Sequence, residues 1–167
     1  GLRGYESGKL VLDEFYDANM KGANSAGVGA GVYFFTQAIT VEEAQEEAAF
    51  VIQNLANYQV SCPIVFDVER ISGGKGRADQ LTKEQRTDIT IAFCEAVKAA
   101  GYTPMIYGNL KTFMLMLNIE QLEDYEKWFA FYSTEEFYYP YDFSVWQYSD
   151  SGRIDGIGKK VDLNISF

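Results

Sequence analysis

The chain reads as an α/β protein, a mostly parallel sheet with helices outside it, arranged as a (β/α) barrel. Three observations predict this. Short apolar, β-branched or aromatic runs alternate with segments whose apolar residues fall at helical spacing, a pattern that implies parallel strands joined by crossover helices. Polar and aromatic residues, Tyr33, Glu69, Tyr107, Tyr132, Tyr148 and Asp162, gather at the C-terminal ends of those strands, where barrels build their sites. The last two strands are separated only by short turns, so the alternation stops before the chain does.

Taken in order, "GVGAGVYFF" (27–35) predicts a strand and "TVEEAQEEAAFVIQNLANY" (40–58) a helix, with Thr40 and Glu43 as a capping box and Ala44, Ala48, Val51 and Leu55 on one stripe. A strand at 62–69 follows, then a polar, glycine-rich loop at 70–81. The helix at 83–100 is capped by Thr82 with Gln85, striped by Ile89, Phe93, Ala96 and Ala100, and stopped at Gly101. "TPMIYG" (103–108) is a strand, 111–125 holds one or two short helices, and "KWFAFY" (127–132) is a strand. "FSVWQYS" (143–149) and "KKVDLNIS" (159–166) are strands with no room between them for a crossover helix. Phe15, Phe50, Phe93 and Phe113 are expected in the core.

Composition narrows the function classes. A chain of 167 residues with 47% apolar content is long enough to bury a substantial core as one domain. Its formal charge of -10 argues against a nucleic-acid partner, which needs clustered Lys and Arg. No apolar run approaches the roughly 18 residues of a membrane span, and the opening "GLRGYESGKL" has no signal-peptide character. Histidine is absent, which removes Ser-His-Asp and Cys-His nucleophile systems and the usual zinc sets, so acid/base chemistry falls to carboxylates. Cys62 and Cys94 lack metal-ligand spacing and are expected as buried thiols.

The stretch "PIVFDVERISGG" (63–74) stands out because two acids enter an apolar run. Side chains alternate along a strand, so Asp67 and Glu69 share one face, with Cα atoms about 6.5 to 7 Å apart, near enough to influence each other's protonation. One reading is a structural pair satisfied by Arg70, Arg77 or backbone donors. The other is a functional pair, since acids at the end of a buried strand are costly. Asp162, likewise, reads either as a buried hydrogen-bonded residue or as part of a site. Tyrosine and tryptophan at strand ends suit stacking on sugar faces. "SGGKG" (72–76) lacks the Lys-Ser/Thr pair of a phosphate loop and reads as a mobile loop over the site, and "EEAQEE" as a solvated helix face.

The pieces "RGYESG", "DEFYDANMKGANSAGVGAGVYFF", "EAQEEAAFV", "PIVFDVE", "FCEAVKAAGYTPMIYG", "KWFAFY", "SVWQYSDSGRIDGIG" and "VDLN", in that order and spacing, resemble the glycoside hydrolase family 25 lysozymes. The resemblance runs through nearly all of the chain. It implies a single catalytic domain over 1–167, a TIM-like (β/α) barrel, and a muramidase that cleaves the β-1,4 bond between N-acetylmuramic acid and N-acetylglucosamine. By motif, Glu69 is implied as the general acid. Asp67 is implied as the partner that stabilises positive charge near the anomeric carbon, with orientation of the substrate's own acetamido group as one way of doing so. Asp162 is implied as a third active-site acid. Tyr33, Tyr107, Trp128, Tyr132, Trp146 and Gln147 are implied to line the saccharide groove. No metal or cofactor is implied, and the partner is the peptidoglycan glycan strand, which places the activity outside the cell or at its wall.

Two departures from that pattern shape the expectation. Family members carry a first strand with "D-V-S" and a "W-Q" element, whereas this chain opens at "GLRGYESG", which resembles the end of the second strand. The barrel is therefore expected to be incomplete at the N-terminus, the gap being filled by a missing segment or a second chain, or left as an open sheet. Phe34 stands where many relatives carry a histidine and is expected in the groove wall. The rival reading, from another class, is a non-catalytic glycan-binding domain that keeps the aromatic groove and tolerates Glu69→Gln.

Overall fold

The computed structural model describes residues 1–133 and 139–167. Chain order is β1 (Leu2–Arg3), β2 (Leu10–Val11), α1 (Tyr16–Ala26), β3 (Val32–Phe35), α2 (Val41–Leu55), β4 (Ile64–Asp67), α3 (Lys83–Ala99), β5 (Pro104–Asn109), β6 (Glu126–Ala130), β7 (Val145–Gly152) and β8 (Val161–Ser166). Short 3-10 turns lie at Arg77–Gln80 and Ile119–Leu122, and a π turn at Thr112–Met116. One eight-stranded sheet runs in the order β2-β1-β3-β4-β5-β6-β7-β8. From β1 through β7 every pairing but β1 with β2 is parallel, while β2 and β8 pair antiparallel at the two ends. The sheet curls so far that Tyr33 of β3 and Asn164 of β8 line one hollow, although among the described residues no ladder joins β2 to β8.

Local chemistry explains the element ends. Gln85 N–H donates to Thr82 Oγ1 at 3.2 Å and Thr82 N–H to Gln85 Oε1 at 3.0 Å, the reciprocal box that starts α3. At α2 only half of the box forms. Glu43 N–H donates to Thr40 Oγ1, but the Glu43 carboxylate accepts from Ile39 N–H at 2.8 Å and from Arg77 at 2.6 Å. Helix α1 ends at Gly27, whose φ of 68° is a left-handed conformation that glycine adopts without a Cβ clash. The sequence pattern had no element for residues 1–26, and α1 shows why: Met20 is its one buried residue, so no apolar stripe marks it.

Alternation divides the strands into two faces. Phe34, Phe66, Ile106 and Phe129 are fully buried in the cluster that also holds the stripe of α2 and, from α3, Ile89, Phe93, Cys94 and Val97; Ala100, expected on that stripe, is exposed at the end of the helix. Phe66 stacks on Phe93 of α3 at 4.3 Å between ring centroids, and Phe34 meets Phe50 of α2 edge-on at 6.0 Å. Phe34 thus belongs to the core and not to a groove wall, because Tyr33 beside it takes the other face. Phe15 departs from expectation in the opposite sense. It is the N-cap of α1, off the helical face, and is 62% exposed. Cys94 is buried, whereas Cys62 is exposed in the turn before β4, outside the buried ladder.

The acidic run of α2 is not wholly solvated. Glu47 is fully buried, accepting from Arg3 Nε at 2.7 Å and from Thr36 Oγ1 at 2.7 Å, and burial raises its pKa to about 7 despite the arginine. Arg3 also donates to Glu43 O and Glu46, so one guanidinium ties β1 to α2. The 70–81 loop is likewise held: buried Asp79 accepts from Gly76 N–H at 2.7 Å and Ile71 N–H at 3.3 Å, and Arg77 is paired with Glu43. The Phe66–Phe93 stack seats β4 on α3. Phe66→Ala is therefore expected to lower unfolding stability by about 3 to 5 kcal/mol in urea denaturation.

Candidate active site

The buried face of β4 leaves Val65 and Asp67 to point the other way. Asp67 is in register with Tyr107 of β5, and Tyr107 with Trp128 of β6, so these three side chains stand in one row across the sheet. Val68, just past β4, keeps the ladder through its N–H to Tyr107 O at 3.0 Å and is buried on the core side. Glu69 therefore returns to the Asp67 face. A cavity of about 150 Å³ is lined by Tyr33, Asp67, Glu69, Tyr107, Trp128, Gln147 and Asp162. Residues spread from 33 to 162 in sequence meet there because β3 to β8 present the same face to one hollow.

The basic residues near the pair in sequence do not neutralise it. Arg77 goes to Glu43 at 2.6 Å and Arg70 approaches Asp79 at 3.7 Å. Asp67 is 9% exposed, and its Oδ1 has no hydrogen-bond partner among the described residues. Burial, reinforced by the charge of Glu69, pushes the Asp67 carboxyl up to about 8, and burial alone raises Glu69. The two acids thus keep protons into a range where ordinary carboxylates have lost them. Burial and Asp67 likewise raise the Tyr33 phenol.

The aromatic wall is fixed by its own contacts. Trp128 Nε1 donates to Asn164 Oδ1 at 2.9 Å, and the Trp128 ring meets Tyr107 edge-on at 5.2 Å. The hydroxyls of Tyr107 and Tyr132 both donate to Gln147 Oε1 at 2.6 Å. Tyr132, half exposed just beyond β6, thereby joins the site through Gln147. Trp146 does not. It precedes Gln147 on β7, so alternation turns it to the opposite face, where its Nε1 donates to Phe131 O at 3.0 Å and its ring packs on the core beside Tyr148. Asn164 is the residue that sequence reasoning passed over. The signal was present in "VDLN", where Asp162 and Asn164 are two apart and share a face. Among the described residues no three His, Cys, Asp or Glu side chains are grouped to hold a metal ion.

The arrangement offers two neighbouring acids that retain protons, a third acid, and flat aromatic and amide groups around them, which suits proton transfer to a hydroxylated ligand. Comparison with known proteins points the same way. The model of the glycosyl hydrolases family 25 matches residues 6–157, a span that contains Asp67 and Glu69 and stops before Asp162. The uncharacterized protein YegX of Escherichia coli K12 is 26% identical over 160 residues, covering 95% of this chain and 55% of that protein. An autolytic lysozyme of Clostridium acetobutylicum is 26% identical over 151 residues, covering 90% of this chain and 42% of its own length. Among solved structures, the modular autolysin LytC of Streptococcus pneumoniae superposes with a TM-score of 0.83 at 26% identity, over 99% of this chain and 39% of that one. The chain thus spans about half the length of the curated relatives it matches, or less.

A carboxyl whose folded pKa lies above its unfolded value stabilises the fold in its neutral form. For Asp67 that contribution is complete below about pH 4 and is lost as pH rises through about 8. Asp67→Asn is neutral at every pH. Its melting temperature is expected to exceed the parent's by about 3 to 10 °C at pH 8 and to match it within about 2 °C at pH 4, read by thermal denaturation across that range.

Proposed function

The chain belongs to glycosyl hydrolase family 25, and from that premise we propose that it is a peptidoglycan hydrolase of the lysozyme type. Its target is the β-1,4 bond between N-acetylmuramic acid and N-acetylglucosamine. The observation that carries this reading is the meeting of Asp67, Glu69 and Asp162 in one aromatic-walled cavity, the first two at the C-terminal end of the parallel strand β4 and the third at the start of the antiparallel β8. The sheet order is sequential from β3 to β8, and the curled inner face supports taking the sheet as the wall of a TIM-like barrel. The names of two relatives, an autolytic lysozyme and an autolysin, support action at the cell wall, outside the membrane.

In this reading Glu69, the less buried of the pair, gives its proton to the glycosidic oxygen as the bond to the anomeric carbon breaks. The departing sugar hydroxyl keeps that proton, and positive charge develops at the anomeric carbon. Asp67 stands beside it. In the reacting form the pair holds a single proton: with it on Glu69, Asp67 is the carboxylate that stabilises an oxocarbenium-like or oxazolinium-like species, and water then adds at the anomeric carbon and returns a proton to the Glu69 carboxylate. The two acids titrate as a pair, so the proton count of the site and not of one residue sets the pH range. Asp162, exposed at the cavity mouth, adds negative charge on the same side. Tyr33 and Trp128 provide faces for the sugar rings.

Reducing-sugar release from purified peptidoglycan tests the reading. Glu69→Gln is expected to lower kcat by at least about 100-fold while still binding glycan, because a general acid contributes about 10²- to 10⁴-fold. The parent's rate is expected to fall on the alkaline side as the pair loses its proton, and that limb should vanish in the residual activity of the variant. A chain that binds chitooligosaccharide without cutting peptidoglycan, equally well with Glu69→Gln, would instead be a glycan-binding domain.

A further inference from the structure

We infer that Gln147 is the hydrogen-bond donor by which the site selects an N-acylated over a free amino sugar, with Tyr107 and Tyr132 as the positioning residues that hold it in that role. The inference rests on the glycan-directed reading above. Gln147 is 3% exposed and lines the cavity that holds the three acids. Two phenol hydroxyls approach one of its terminal atoms at 2.6 Å each. That separation is typical of O–H···O and short for N–H···O, so the atom facing the phenols is the carbonyl oxygen and not the amide nitrogen.

Two phenol oxygens at 2.6 Å, themselves within hydrogen-bond reach of each other, crowd the amide oxygen, so Oε1 is closed off from a ligand. Nε2 remains, with two N–H donors that go to no other group among the described residues. Gln147 therefore meets a ligand as a donor alone. A sugar hydroxyl can turn to suit either kind of neighbour, but an acyl carbonyl only accepts and an ammonium only donates. The residues that line the cavity include three acids and no Lys or Arg, so a carboxylate would find no cation there to pair with. The group that satisfies all of these conditions is the neutral carbonyl of an N-acyl amino sugar. A de-N-acylated sugar would set its ammonium against the Gln147 N–H.

Calorimetric binding of chitotetraose and of its fully de-N-acetylated counterpart, at physiological salt, tests this on the intact chain alongside peptidoglycan cleavage. Gln147→Glu keeps the shape and can still accept from both phenols, but turns its second atom from donor to acceptor. It is expected to reduce the preference for the N-acetylated ligand by about tenfold or more, the size of one hydrogen bond exchanged for an unpaired buried group. Tyr132→Phe, which frees Gln147 to rotate, is expected to raise KM for N-acetylated glycan while the alkaline limb of kcat stays where it was. An unchanged ligand preference in a folded Gln147→Glu protein overturns the inference. So does cleavage of peptidoglycan by a parent chain that shows no preference, in which case the hydrolase reading survives alone. Binding with the expected preference but no cleavage sustains the role of Gln147 and removes the hydrolase. Failure of the parent to bind either ligand overturns both.

Discussion

Phe66 and Asp67 are adjacent on β4 and must face opposite ways, and the site depends on that constraint. The core claims Phe66, which stacks on Phe93 and has no exposed surface. Asp67 is left no choice of direction. It is carried to the inner face and kept out of water there, which disfavours its charged form and makes it hold a proton. The packing of a helix on the outside of the sheet thus sets the protonation state of an acid on the inside. Register does the rest, since Tyr107 and Trp128 stand in the same row because β4, β5 and β6 are parallel and in step.

The distribution of positive charge reinforces this. The chain carries few basic residues for its acids, and those near the site in sequence or space are committed elsewhere. Arg3 is buried against Glu47, Arg77 holds Glu43, and Arg70 leans towards Asp79. These pairs fasten β1 and the 70–81 loop to the rest of the chain, and in doing so they keep guanidinium groups away from Asp67 and Glu69. An arginine beside the pair would pull both carboxyls towards ionisation.

Much of this was legible from local pattern. The box of Thr82 with Gln85, the stripe of α2, and the short apolar strands are set by residues a few positions apart, so spacing alone reveals them. The shared face of Asp67 and Glu69 follows from the two-residue repeat. The same rule, applied to Trp146 and Gln147, separates them, and the expectation that both line the groove overlooked it. Other residues resisted for a different reason. Glu47 looks like any acid in a charged helical run until Arg3, 44 positions earlier, is placed against it. Phe15 and Cys62 lie at element ends, where burial is decided by what happens to cover the turn.

The sequence by itself determined the order of strands and helices from β3 onward, the two-residue spacing of the acids and the lack of any histidine to share their chemistry, because these depend only on near neighbours and composition. Tertiary structure alone decided which residues meet. Asp162 lines the same cavity as Asp67 because β8 folds back on β7 as the sheet curls, and Gln147 is locked because tyrosines 40 and 15 positions before it converge on one oxygen. Such contacts depend on curvature and register summed over six strands, and no local stretch of chain carries that information.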